Sequence, residues 1–229
     1  MKTSLMPQRG DRFFLNRRRP HERRTTSSNW LDYTFSYKQC ADHLIQAQKT
    51  RPAIDRSEVY PILFLYRHYM ELEMKSIIAI GRVAELNGDS KDKVLSVLST
   101  HDLQKLLKQC RDICQDLDLL NGQFADAFSN FAVLIDEFSA HDPGSFAFRY
   151  PIDKKLNPTL IGLGDIDLNH VELIIKRCAA FLKTMREAVA YELSGRVDYE
   201  DVSDEEEEMY AKDFFGVDED EAEEECRED

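Results

Sequence analysis

Residues 64–75 read FLYRHYMELEMK and place Arg67, His68, Glu71, Glu73 and Lys75 inside the most apolar part of the chain. Arg67, Glu71 and Lys75 recur every four residues, so on a helix they share one stripe and can pair Arg–Glu–Lys. Two further stretches hold groups of matching chemistry: His101-Asp102 and Arg149-Tyr150. A guanidinium binds phosphate or carboxylate in a fork, and an imidazole moves a proton near neutral pH. If the three regions meet, Arg67, His68, Glu71, Lys75, His101, Asp102, Arg149 and Tyr150 form a pocket of cations, imidazoles and acceptors fit for a phosphate or a nucleotide. The plainer reading is a salt-bridged stripe on a bundle surface. His101 is then a capping or packing residue, and Arg149 ties its own loop to Glu71 or Asp136. Ser145, His101 and Asp142 have the types of a hydrolytic triad, but no motif brings them together.

The elements that must position these residues are helical. Ser28 or Asn29 can cap a helix over 30–48, with Trp30, Tyr33, Phe35, Tyr37, Ala41, Leu44 and Ile45 as its apolar face. RPAID breaks it, because proline removes a donor and restricts its neighbour. A second helix starts near Ser57, where Glu58 suits the dipole and Pro61 is tolerated in the first turn, and runs to about 86. A short helix follows over 91–98. Thr100 is expected to cap a helix over 101–119, with Leu103, Leu106, Leu107, Cys110, Ile113, Cys114 and Leu117 inward. The Asn121-Gly122 pair is a break, and a helix over 123–140 turns Phe124, Phe128, Phe131, Leu134, Ile135 and Phe138 inward. Residues 141–167 hold turn residues and a strand-like FAFRY, which reads as an irregular loop or short hairpin; a connection that long is often functional. Asp167 caps a last helix over 168–193. The expected architecture is an all-α helical bundle of four long helices plus one short helix, with the loop before the last.

Charge divides the 229 residues into three parts. Residues 1–28 carry eight basic groups against two acidic, a net +6, and read as a basic disordered arm able to attract phosphates. Residues 196–229 carry a net −15 and read as an acidic disordered tail. Its Tyr210, Phe214 and Phe215 stand among carboxylates, so it can also act as a nucleic-acid mimic over a basic surface, the arm being the obvious one. The domain between, 29–195, is near neutral at −4.

Several classes are excluded. No apolar run approaches the 18 to 20 residues or so needed to span a bilayer, and none follows the basic N-terminus as in a secretory leader. Five cysteines, most of them in helix-like segments, fit a reduced cytoplasmic setting. Cys110 and Cys114 lie a turn apart, but no second pair stands at metal-ligand spacing. GLGDID has Asp167 where a dinucleotide loop needs its third glycine, and DLDLLNG is out of register for a calcium loop. No metal set and no cofactor is implied.

Three blocks remain in order: YPILFLYRHYMELEMKSIIAIG, THDLQKLL and LIDEFSAHDPGSFAFRYPIDKK. Together they resemble bacterial proteins of the HEPN superfamily, over about residues 30–190. That resemblance implies a helical bundle, homodimerisation, and a role in a bacterial stress or defence system. The implied partners are RNA, a nucleotide, or a protein such as a nucleotidyltransferase-type antitoxin. Family nucleases use an arginine, four to six residues, then a histidine. None of the six histidines here has an arginine five to seven places before it. The expectation is therefore a binding module rather than an enzyme of the usual type. The alternatives are a divergent metal-independent RNase working through Arg67, His68 or His101, and Arg149, or a structural subunit that recruits partners through its charged termini.

Overall fold

A helix that is apolar on almost every side belongs at the centre of a bundle, and the segment carrying the charged stripe is of that kind. The computed structural model describes residues 30–50, 58–160 and 162–195. Within them the chain forms α1 (Trp30–Lys49), α2 (Val59–Gly81), α3 (Val83–Leu86), α4 (Lys91–Leu98), α5 (Leu103–Asp116), α6 (Gly122–His141) and α7 (Leu168–Ser194). Every residue of α2 from Tyr69 to Ala79 is buried. Helices α1, α5 and α7 pack against α2, and α6 lies across α5 and α7.

The all-α bundle is as the periodicity predicts: five helices have 14 residues or more, one for each long segment read above and one more than the expected total of four, and two are short. The segment read as one helix to residue 86 divides at Arg82, whose φ of −121° leaves the helical region before the single turn of α3. Helix α5 starts at Leu103, not at His101. Its cap is Asp102, whose carboxylate accepts from the amides of Gln104 and Lys105, while Thr100 Oγ1 accepts from the Asp102 amide. Asp167 caps α7 in the same manner, accepting from the amides of Asn169 and His170.

The inward face of α1 also differs from the expectation. Thr34, Ala41, Ile45 and Gln48 are buried, and Tyr33 and Phe35 are 52% and 64% exposed. Positions 34, 41, 45 and 48 fall on one helical stripe, and 33 and 35 sit to either side of it. The basic arm, the proposed caps Ser28 and Asn29, the break at 51–55, Ser57 and the acidic tail lie outside the described residues.

FAFRY is not a strand. Phe146 to Arg149 coil into turns, with the amides of Arg149 and Tyr150 both donating to the Phe146 carbonyl. The only β-type pairing among the described residues is an isolated bridge between Ile152 and Pro158. Alternating aromatics favour extended backbone only where a partner strand exists; here the carboxylate of Asp142 captures the amides of Phe146 at 2.5 Å and Ala147 at 2.9 Å and bends the chain round itself.

Cys110, Cys114 and Cys178 are buried free thiols and Cys40 is exposed. Burial raises all three buried thiols, Cys114 and Cys178 to about 11. Among the described residues no helix is long and apolar enough to cross a membrane.

Gly81 closes α2 where it meets α5. A Cβ there would stand 2.6 Å from Ile113 Cγ2 and 2.8 Å from Cδ1. Gly81→Ala should therefore lower stability by about 1–3 kcal/mol despite alanine's better helix propensity. In a double-mutant cycle by urea unfolding, Ile113→Ala should absorb part of that loss, so the double variant is less destabilised than the two singles added.

Candidate functional site

Arg67 is fully buried, and its guanidinium binds three separate elements. Nη1 donates to Glu71 Oε2 at 3.0 Å within α2. Nη2 donates to the carbonyl of His101 at 2.6 Å, just before α5. Nε donates to the carbonyl of Asp142 at 3.3 Å, just after α6, and stands 3.2 Å from Asp142 Oδ2 at ion-pair distance without hydrogen-bond alignment.

Glu71 is equally buried and collects the remaining charges. Lys75 Nζ donates to Oε1 at 3.0 Å, and His101 Nδ1 meets the same oxygen at 2.8 Å. Burial pushes the Glu71 carboxyl upward, but the hydrogen bonds and charges of Lys75 and His101 outweigh it and hold the group below its usual value. An ionised carboxylate only accepts, so the His101 proton sits on Nδ1 and donates to Glu71. Nε2 is then the basic nitrogen and has no partner among the described residues. The imidazole is 60% exposed while its anchor is entirely enclosed. Lys75 is buried as well and makes one hydrogen bond among the described residues.

His68 adjoins this cluster one turn back on α2. It stands edge-on to Tyr37 of α1 with centroids 4.4 Å apart, and stacks on Phe64 at 5.9 Å. Burial lowers its pKa first; the Glu71 carboxylate opposes that, and the charges of Lys75, Arg67 and His101 reinforce it. Arg149 also packs on Phe64, its guanidinium carbon 5.4 Å from that ring and 5.7 Å from the Tyr150 ring. Arg149 Nε donates to the Ser145 carbonyl at 2.6 Å, and Nη2 donates to it too. Tyr150 is exposed and stacks on Phe146 at 4.6 Å.

The structure thus brings Arg67, Glu71, Lys75 and His101 into direct contact and sets His68 beside them. Phe64 links His68 to Arg149 and Tyr150. Asp102 stands apart in role, its carboxylate turned to the start of its own helix. The charged stripe is not on the bundle surface, as the plainer reading has it, but inside. Arg149 holds the Ser145 carbonyl rather than Glu71 or Asp136. The triad types do not assemble, since His101 orients on Glu71 and Asp142 on Arg67 and two backbone amides. Sequence alone does not single out Phe64 and Tyr37 as parts of the site, and it offers Asp142 only as a triad type, not as a partner of Arg67. The Asp-Pro-Gly turn that opens at Asp142 is a signal that its carboxylate binds nearby amides; nothing local marks Phe64 or Tyr37.

Two cavities among the described residues have linings that include none of the cluster's side chains. One, near 200 Å³, is bordered by Arg82, Lys93 and Asp112. The other is a groove between α6 and α7. His101, Arg149 and Tyr150 are exposed, so their chemistry is presented at the surface, a geometry for extended or charged ligands more than for small apolar ones. Comparison of the chain with protein-family models, curated proteins and solved structures finds no match.

Arg67→Met leaves the buried Asp142 without its cation and Glu71 with Lys75 and His101 alone. It should lower the unfolding free energy by about 3–5 kcal/mol in urea titration, with Arg67→Lys giving little rescue because one ammonium cannot fork to three acceptors. His68 gives a pH signature. Its folded pKa lies below the ordinary histidine value of about 6.5, so below that value the unfolded chain takes up a proton that the fold resists. Stability should fall as pH drops through that window. His68→Phe should lose less stability than wild type between about pH 7.5 and 5.5, read as the shift in urea midpoint.

Proposed function

We propose that this chain is a HEPN-like helical module that binds RNA or a nucleotide at the surface formed by His101, Arg149, Tyr150 and the Phe64–His68 edge. One observation carries the reading: an exposed imidazole pinned at 2.8 Å to a fully buried carboxylate. An exposed side chain gains little stability from such precision, whereas a ligand contact gains from every rotamer fixed beforehand. Arg149 supplies an exposed cation laid over an aromatic face, and Tyr150 a ring on which a base can stack. Arg67 and Lys75 are too deeply buried to reach a phosphate, and their part is to hold Glu71, and through it His101, in place. The order of the three sequence blocks supports the family reading. It also supports a place in a bacterial stress or defence system, with a nucleotidyltransferase-type protein as a candidate partner. The opposite charges of the two termini favour a macromolecular ligand over a small one.

A second reading rests on the same pair. A carboxylate on Nδ1 leaves Nε2 as a proton acceptor, the arrangement of a general base. A divergent metal-independent RNase would use it so, with Arg149 rather than the buried Arg67 as the phosphate cation.

Incubation of the full chain with labelled total RNA at low and moderate salt separates the two. Binding predicts retardation without cleavage, weakening as salt rises. His101→Ala and Arg149→Ala should each weaken it about tenfold. Cleavage that disappears in His101→Ala would replace the binding reading with the second. Absence of both retardation and cleavage would remove RNA as the ligand.

A further inference from the structure

The groove between α6 and α7 stands apart from the polar cluster and has its own chemistry. The two helices meet at one end through Phe124, Phe128 and Phe131 packed around Phe181. Toward the end of α6 and the start of α7 a cleft of about 370 Å³ opens between them, bordered by residues 163–166 of the connection. Its walls are the half-buried Leu134, Phe138, Leu163, Ile166, Val171 and Ile174. The charged groups on its rim are Glu137 and Asp165, with His141 and His170 beside them; among the described residues no lysine or arginine lines it. It is an apolar slot under an acidic rim, and it calls for an apolar segment flanked by cations.

The chain contains such a segment. Residues 12–19 read RFFLNRRR, with Phe13, Phe14 and Leu15 set between Arg12 and Arg17, Arg18 and Arg19. The other aromatic-bearing terminus has the wrong sign, for Phe214 and Phe215 stand beside Asp213 and a run of carboxylates. Length allows the contact. Fourteen residues separate Leu15 from Trp30, the first residue of α1. Extended, they span up to about 50 Å, more than the roughly 40 Å length of α7, the longest helix here.

We propose that Phe13, Phe14 and Leu15 of the same chain occupy the α6–α7 groove, with the flanking arginines set against Glu137 on its rim. The contact is independent of the ligand reading above. It makes the basic arm a partner of its own domain rather than of the acidic tail. Seated apolar residues remove the exposed wall of the groove from water and slow the opening of the helix ends that form it.

Hydrogen–deuterium exchange on the full chain tests this. In Phe13→Ser/Phe14→Ser, the amides of 134–141 and 163–178 should exchange several-fold faster than in wild type, and amides elsewhere should be unchanged. Glu137→Lys, an exposed substitution that leaves the apolar walls intact, should move the same amides in the same direction. The Phe214→Ser/Phe215→Ser control should exchange like wild type. Unchanged exchange in the arm variant overturns the proposal, as does faster exchange in the tail variant instead. If wild-type protection of these amides is lost on dilution together with a dimer mass, a second copy covers the groove, and the same-chain contact is wrong.

Discussion

Arg67 joins three parts of the chain that no local rule brings together. Its guanidinium reaches a carboxylate one turn along α2, the carbonyl of His101 that precedes α5, and Asp142 where α6 gives way to the long connection. Each contact fixes the end of a different element, so the centre of the bundle, the entry to α5 and the exit of α6 are set by one side chain. A buried guanidinium is strongly penalised unless its donors are met, and meeting them leaves little freedom in how the elements meet. Asp142 spends its remaining oxygen on the amides of Phe146 and Ala147 and so passes the constraint into the connection. Arg149 and Tyr150 sit at the far end of that same turn.

The site above this anchor is layered. Glu71 is the inner layer, neutralised by Arg67 and Lys75. His101 is the outer layer, held by the carboxylate and open to solvent. The burial of the inner layer gives the outer one its orientation, because a carboxylate away from water holds its few partners closely. The aromatic edge of Tyr37, Phe64 and His68 extends this surface toward Arg149, so imidazole, rings and guanidinium follow one another along the molecule.

Much of this was legible in the sequence, for identifiable reasons. Helix existence followed from apolar spacing, and α5 in particular buries Leu103, Leu106, Leu107, Cys110, Ile113 and Cys114 as its periodicity requires. The Arg67–Glu71–Lys75 pairing followed from four-residue spacing. Its depth did not, because a charged stripe on an otherwise apolar helix reads by pattern as the exposed face; only the packing of α1, α5 and α7 around α2 decides that the stripe is enclosed. Tyr33 and Phe35 were misplaced for a related reason, since aromatics beside a stripe count as part of it in a pattern but not in a packed helix. FAFRY has strand composition, and its fate was set by Asp142, a residue outside the stretch itself. The division of α2 from α3 at Arg82 has one local mark, Gly81, and apolar residues on both sides of it read as a continuous pattern.

The three enclosed thiols carry a consequence of a different sort. Cys110, Cys114 and Cys178 sit on α5 and α7, two of the helices packed against α2, with ionisation suppressed by burial. An alkylating reagent meets the thiolate form only when a helix lifts away. Each cysteine is therefore a built-in clock: the rate at which it is modified reports how often its own helix parts from the centre, with the exposed Cys40 on α1 as the unhindered reference.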